Sequence, residues 1–136
     1  MRSINRIIVH CSATPEGRNN TIADIDKWHI QKGFAQVGYH YVIHLDGSIH
    51  KGRSERVAGA HCTGYNRQSI GICYIGGLAK DGKTAKDTRT QGQKASLLHL
   101  IKELKRKYPR ATVHGHREFA NKACPSFDAK LEYNNI

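Results

Sequence analysis

The chain has 136 residues, and 22 Lys and Arg against 11 Asp and Glu give it a formal net charge of +11 at neutral pH. This length predicts one domain, residues 1–136, whose core needs no disulfide staples. The apolar runs are too short for a membrane-spanning helix, and no signal-peptide pattern precedes the first apolar segment. We therefore expect synthesis in the cytoplasm and no membrane span.

The positive charge predicts attraction to polyanions such as nucleic acid, anionic lipid or bacterial wall polymers, without choosing among them. Part of the excess lies at Lys102, Lys105, Arg106 and Lys107, on the outer face of a predicted helix. A solvated helix face explains these residues as well as a binding patch does. No recognition-helix pattern and no basic strand interleaved with aromatic residues accompanies them, so nucleic-acid binding is disfavoured.

Short apolar segments bounded by turn residues predict five strands. They are residues 6–10, 39–44, 48–51, 69–75 and 111–115. The Asp46-Gly47 pair between the second and third segments is typical of a β-hairpin turn. The glycine-rich and charged residues 76–89 predict a long surface loop.

Three helices are predicted around these strands. Capping-box patterns mark two helix starts, one at Thr21 with Asp24 and one at Thr90 with Gln93, and Ser126 is predicted to cap a third helix. The apolar stripe of the second helix is Leu97, Leu100, Ile101 and Leu104. Strands interleaved with helices predict an α/β (mixed α+β) single domain, in which two or three helices flank a central mixed β-sheet.

The four cysteines show no CxxC spacing. In a chain without an export signal we expect reduced thiols. Cys11, Cys62 and Cys73 are predicted to be small buried apolar residues, in preference to a Cys62–Cys73 disulfide. Cys124 differs because Pro125 follows it, which predicts a turn.

Two histidines and this cysteine are the strongest candidate for a functional site. His10 ends the first strand, and either His114 or His116 could join it with Cys124, since the spacing does not separate the two. Two imidazoles and one thiolate form a zinc ligand set that leaves the fourth position open, as catalytic sites do. Strand alternation sends Cys11 to the face opposite His10, so Cys11 is expected to pack inward. Structural imidazoles are the better interpretation for His29, His40, His44, His50 and His99.

Four blocks of sequence occur in an order that is typical of a known family. They are VHCSAT at 9–14, VGYHY at 37–41, GYN with SIGI at 64–72, and KACPSFD at 122–128. Together they resemble the zinc N-acetylmuramoyl-L-alanine amidases of the phage-lysozyme and peptidoglycan recognition protein superfamily. The chain is most similar to the small amidase-type phage lysozymes, and the match covers residues 6–128.

The resemblance implies one zinc ion as cofactor, held by His10, His116 and Cys124, which decides between the two candidate histidines. It also implies that Tyr39 and Lys122 are catalytic. The reaction would hydrolyse the amide between N-acetylmuramic acid and L-alanine of the stem peptide, and zinc would activate the water. Tyr39 would orient that water or pass its proton to the leaving amine, and Lys122 would stabilise the oxyanion.

His61 and Asn66 match positions that line the peptide-binding groove in this superfamily, and either substrate contact or simple loop structure would explain them. The implied partner is bacterial peptidoglycan, and the implied role is bacteriolytic and endolysin-like. The protein is expected to be a monomer that acts on the cell wall after release or delivery. One such lysozyme also binds RNA polymerase, but the short segment before the first strand does not support that partner here.

Two other functions fit the same fold. A non-catalytic peptidoglycan-binding module is disfavoured because recognition-only members commonly lack the cysteine ligand, which this chain keeps as Cys124. A cytosolic amidase that recycles muropeptides also fits a leaderless chain. A phage endolysin, a secreted effector and a recycling enzyme therefore all remain open.

Overall fold

A computed structural model describes residues 2–136 and contains seven strands. They are β1 (Arg6–Cys11), β2 (Thr14–Pro15), β3 (Tyr41–Ile43), β4 (Ile49–Lys51), β5 (Ser69–Tyr74), β6 (Gly77–Leu78) and β7 (Thr112–Gly115). Five of them form the central sheet in the order β4-β3-β5-β1-β7, and β2 pairs with β6 separately. All five strands predicted from the sequence are present, with ends that differ by one or two residues.

The central sheet is mixed. β3, β5, β1 and β7 are parallel neighbours, and only β4 runs antiparallel, in the hairpin with β3. Gly47 has a φ of 87° in the hairpin turn, a conformation that glycine adopts without steric cost. Because parallel strands end at the same edge of a sheet, the residues that follow β1 and β7 meet there.

Three helices accompany the sheet: α1 (Ile22–Gln31), α2 (Gln91–Lys107) and α3 (Ala129–Glu132). Both predicted capping boxes are confirmed. The Thr21 N–H donates to Asp24 Oδ2 at 2.9 Å, and the Thr90 N–H donates to Gln93 Oε1 at 2.9 Å. These side chains satisfy N–H groups that a helix start otherwise leaves unpaired.

The cap predicted for the third helix is wrong. Ser126 lies before the helix, with a φ of 70°. Asp128 caps α3 instead, because its Oδ1 accepts the N–H of Leu131 at 3.1 Å. The two residues are close in sequence and both are good capping residues, so composition alone did not separate them.

Helix α2 covers one face of the sheet. Its predicted apolar stripe is buried, and it packs in one cluster with Ile7, Val9, Ile70 and Ile72. A second cluster on the other side contains Ile25 of α1 with buried strand residues. Full burial of each Leu or Ile side chain contributes about 1.5–3 kcal/mol, so these two layers dominate the stability of the fold. The predicted α+β class with a mixed sheet is confirmed.

Residues 76–89 are not simply a surface loop. They contain β6, and Arg89 at their end is buried. Its guanidinium donates to Asp87 and to Glu132, lies 3.1 Å from the Tyr133 hydroxyl, and stacks 3.4 Å from the Phe127 ring centroid. This cation therefore ties the loop to the C-terminal segment.

The cysteine predictions are confirmed. All four cysteines are free thiols, and Cys11, Cys62 and Cys73 are buried. Cys11 packs in the α2 cluster, on the face opposite His10, as strand alternation predicts. Within residues 2–136, no helix combines the length and apolar character needed to cross a bilayer.

Candidate metal centre and active site

Three metal-binding side chains meet at the carboxyl edge of β1 and β7. His10 lies near the end of β1, and His116 directly follows β7 in a short 3-10 helix. Because Val9 pairs with Gly115 in parallel register, the next residues, His10 and His116, lie side by side. Cys124 joins them, and the ligand atoms of the three residues all lie within 4.8 Å of one another.

The spacing of these atoms fits a tetrahedral ion. Zinc bonded at about 2.1 Å to nitrogen and about 2.3 Å to sulfur keeps neighbouring ligand atoms roughly 3.6 Å apart. His10 Nδ1 lies 3.9 Å from Cys124 Sγ, and the other ring nitrogen of His10 is turned toward His61. Nδ1 is therefore the nitrogen available to an ion, and the donor set is one that zinc takes.

Backbone contacts and one glycine hold Cys124 in this position. The Arg117 N–H donates to the Cys124 carbonyl at 2.7 Å, and the Cys11 N–H donates to Cys124 Sγ at 3.2 Å. Contact with the Cys11 thiol and burial raise the pKa of the Cys124 thiol, and the Cys11 N–H opposes this shift. A metal ion that binds the thiolate therefore has to displace the thiol proton. A Cβ on Gly115 would lie 2.9 Å from Pro125 Cδ, so glycine lets the end of β7 pack against the cysteine turn.

His114 lies outside the cluster. Its Nε2 is 2.6 Å from Thr112 Oγ1, and its Nδ1 is 2.9 Å from Glu118 Oε1. Both ring nitrogens are thus engaged by other polar side chains. The structure brings His116 rather than His114 to His10, in agreement with the choice that the resemblance implies.

The surroundings keep the two candidate histidine ligands in their coordinating form. Burial lowers the pKa of His10 well below its usual range, and His61 and His116 add to this effect. Burial and then the charge of Lys122 lower the pKa of His116. Both imidazoles are therefore neutral at neutral pH, as metal binding requires. Burial raises the pKa of the Tyr39 hydroxyl, which keeps its proton.

A cleft of about 450 Å³ opens beside the cluster. Residues singled out in the sequence line it: Tyr39, His61, Asn66, His116 and Lys122. The ring centroid of Tyr39 lies 4.9 Å from that of His10, which itself is only 1% exposed. The structure thus gathers every predicted site residue in or directly beside one cleft.

Both ring nitrogens of His61 and the side-chain oxygen of Asn66 are used within the protein. His61 Nδ1 lies 2.8 Å from His10 Nε2, and His61 Nε2 lies 3.2 Å from Ser69 Oγ. Asn66 Oδ1 accepts the backbone N–H groups of His61 and Cys62, both at 2.9 Å. Asn66 therefore organises the loop that carries His61. Direct substrate contact by either residue stays a prediction.

Several other residues that line the cleft are not predicted as site residues from the sequence. They are His29, Lys32, Phe34 and Phe119. The structural interpretation of His29 agrees with its Nδ1, which accepts the Gly38 N–H at 2.8 Å. Its ring, however, also lies 5.4 Å from that of Tyr39. The one available signal for Phe34 was an aromatic residue directly after a helix-ending glycine.

Known proteins share this architecture. The family model for N-acetylmuramoyl-L-alanine amidase matches residues 1–127. The endolysin of Escherichia phage T7 is 44% identical over 128 residues, which are 94% of this chain and 84% of that protein. N-acetylmuramoyl-L-alanine amidase LysC from Clostridium intestinale has a TM-score of 0.82 at 30% identity, over 96% of this chain and 82% of that one. Drosophila PGRP-LB has a TM-score of 0.81 at 26% identity, over 99% and 82%.

The fold is thus the one shared by these amidases and peptidoglycan recognition proteins. The chain belongs to the N-acetylmuramoyl-L-alanine amidase family. The resemblance, the fold class and the enzyme class predicted from the sequence are all confirmed.

Proposed function

We propose that this chain is a zinc-dependent hydrolase that cleaves the amide between N-acetylmuramic acid and L-alanine in bacterial peptidoglycan. The observation that supports zinc most strongly is the convergence of His10, His116 and Cys124, with ligand atoms within 4.8 Å of one another beside a cleft. These three residues would hold the ion. When bound, zinc supplies a Lewis acid that polarises an amide carbonyl and lowers the pKa of water.

The composition of the cleft supports the same proposal. Among residues 2–136, no Asp or Glu lines the cleft, so a carboxylate general base is not at hand. Its charged side chains are Lys32 and Lys122. Two ammonium groups without a neighbouring carboxylate suit a substrate that carries negative charge, such as a stem peptide with free carboxylates.

Hydrolysis adds water across the amide: oxygen bonds to the carbonyl carbon, the C–N bond breaks, and one proton of the water reaches the leaving nitrogen. Tyr39 is the residue proposed to manage that proton. Its phenol is protonated and stands beside His10, so it can orient the attacking water or donate to the departing amine. L-Alanine leaves with a free amino group.

Lys122 is proposed to stabilise the negative charge that develops on the carbonyl oxygen. The residue is exposed and lines the cleft two positions before Cys124, so its ammonium can reach a carbonyl placed at the metal cluster. Removal of one oxyanion donor in comparable sites costs roughly 3–4 kcal/mol of transition-state stabilisation.

The direct test is digestion of purified sacculi by the zinc-loaded protein, with release of new L-alanine amino termini as the readout. We expect release in the presence of zinc, none after chelation, and recovery when zinc is restored. The Cys124→Ser variant is the matched control. Sacculi left intact by fully zinc-loaded protein would refute the proposed reaction.

Endolysin-like action on the wall can be separated from muropeptide recycling by a second substrate. The surplus of 11 positive charges favours an intact anionic wall over small soluble fragments. We therefore propose that whole sacculi are cleaved faster, per amide bond, than soluble muropeptides, and that this preference weakens as salt screens the charge. Faster cleavage of the fragments would favour a recycling enzyme instead.

A further inference from the structure

One buried histidine beside the cluster has no assigned part in the reaction. His61 is 8% exposed and lies edge-on to His10, with ring centroids 4.8 Å apart and an interplanar angle of 89°. Its Nδ1 is 2.8 Å from His10 Nε2. This is the ring nitrogen of His10 that faces away from Cys124, so His61 contacts the nitrogen that is not available to the metal.

Hydrogen-bond accounting restricts how the protons can be arranged. Two neutral imidazoles share one proton across the 2.8 Å contact, and His61 Nε2 has Ser69 Oγ at 3.2 Å, also buried. In one arrangement His10 donates to His61, and His61 donates to the serine. In the reverse arrangement the serine donates to His61, His61 donates to His10, and His10 must carry its proton on Nδ1. Only the first leaves the Nδ1 lone pair of His10 free toward Cys124.

The fold fixes the His61 ring in the place this arrangement needs. A Cβ on Gly71 would lie 2.6–2.8 Å from three ring atoms of His61, and a Cβ on Gly59 would lie 2.6 Å from its Cδ2. The ring therefore occupies space that exists only because both positions are glycine. The backbone of His61 is also anchored, because its N–H donates to Asn66 Oδ1. The ring is thus constrained through its side chain and its main chain together.

We propose that His61 is a positioning residue: it accepts the Nε2 proton of His10 and so presents His10 Nδ1 to zinc. Ser69 completes the chain by accepting the remaining proton of His61. A ligating histidine usually has such a partner on its second nitrogen, and loss of the partner costs about 10–100-fold in metal affinity or activity. The inference rests on the proposed zinc site, and it assigns His61 to the ligand rather than to the substrate.

The test compares two replacements of similar branched shape. His61→Asn keeps an amide oxygen near the position of Nδ1, whereas His61→Leu has no acceptor. Zinc affinity is measured by competition with a chromophoric chelator. We expect His61→Leu to bind zinc about 10–100-fold more weakly than the wild type, and His61→Asn to recover most of that loss. His50→Leu, at a histidine outside the site, should bind zinc as the wild type does.

Three outcomes would overturn the proposal. Equal weakening by Asn and Leu would reduce His61 to a packing role. Unchanged zinc affinity with a raised KM on peptidoglycan would make it a substrate contact. Nitrogen NMR of the zinc-loaded wild type, which needs no variant to fold, would also overturn it by placing the metal on His10 Nε2. Failure of the wild type to bind zinc at all is a different result, because it refutes the metal centre itself.

Discussion

Two groups of histidines lie close together in this molecule, and they differ in what their nitrogens do. In the first, His10 has the rings of His61 and His116 at 4.8 and 4.5 Å. In the second, His44 and His50 stack at 3.7 Å with an interplanar angle of 19°. Ring proximity is therefore greater in the second group. Only the first, however, has a thiol within reach and a ring nitrogen directed at it.

The Nε2 atoms of the second group serve the fold. His44 Nε2 accepts the N–H of Ile22 at the start of α1, at 3.0 Å. His50 Nε2 lies 2.8 Å from Ser48 Oγ in the hairpin. A metal site is therefore defined by the direction of free lone pairs and by a third donor. Close histidines alone do not define one.

The largest expected effect comes from the third donor. Cys124→Ser replaces a thiolate with a hydroxyl that stays protonated at neutral pH, so zinc affinity should fall by more than about 100-fold, beyond the range of outer-shell changes. Amidase activity should be lost with the metal. His50→Gln, in the stacked pair, should keep both. Elemental analysis after dialysis measures the bound zinc, and one full equivalent on Cys124→Ser would contradict the assignment.

Next in size is a variant that separates catalysis from metal binding. Lys122→Ala should retain one zinc, because the lysine is not in the ligand cluster, yet kcat should fall by about 100–1000-fold with little change in KM. Lys130→Ala, which removes the same charge outside the cleft, is the matched control. A wild-type kcat for Lys122→Ala, or a loss of zinc, would remove the proposed oxyanion role.

The parts of this picture that the sequence predicts are local ones. Capping boxes, the Asp46-Gly47 turn and the alternation that separates His10 from Cys11 each depend on residues within a few positions of one another. Their physical causes act over the same short range, so pattern and structure agree. The apolar stripe of α2 belongs to this class, because helical period alone places it on one face.

What the sequence could not give arises from contacts between distant segments. His61 and His10 are 51 positions apart. The sequence around either residue does not show that His61 forms a hydrogen bond with the Nε2 atom of His10. The exclusion of His114 likewise depends on Glu118, which turns back to it through the short helix after β7. The family resemblance supplied the choice of His116, whereas strand parity did not.

A third prediction concerns the space beside Gly71 that the His61 ring occupies. Gly71→Ala places a methyl group 2.6–2.8 Å from His61 ring atoms in a buried strand, so it should lower the free energy of unfolding by about 1–3 kcal/mol and weaken zinc binding. In the hairpin, Gly47 approaches Gly92 rather than a histidine ring. A methyl group on this hairpin glycine would therefore not press on the rings of the stacked pair.

A double-mutant cycle with His61→Ala checks the cause. Removal of the ring should relieve the clash, so the two changes together should destabilise less than the sum of the single changes. Denaturant unfolding in the presence of chelator measures this without the contribution of the metal. Additive effects would mean that the alanine disturbs β5 in some other way.

The smallest expected effect is a pH dependence at the stacked pair. Burial, followed by the charge of His50, lowers the pKa of His44 below 6.5, while Asp46 opposes the shift. The unfolded chain therefore binds the proton more readily, and the stabilising contribution of neutral His44 is present above pH 6.5 and lost as the pH falls through its folded-state pKa. Protonation would also remove the acceptor used by the Ile22 N–H.

His44→Gln keeps an acceptor near the position of Nε2 and does not titrate. Between about pH 7.5 and about pH 5 the wild type should lose up to about 1 kcal/mol more stability than this variant, a typical net value for one hydrogen bond. The buried histidines of the metal group titrate alike in both proteins, so the difference between the two urea curves isolates the stacked His44–His50 pair. Parallel pH profiles would show that the His44–His50 pair does not respond to protonation. Zinc affinity at neutral pH should be the same in both proteins, because neither histidine of this pair belongs to the metal cluster.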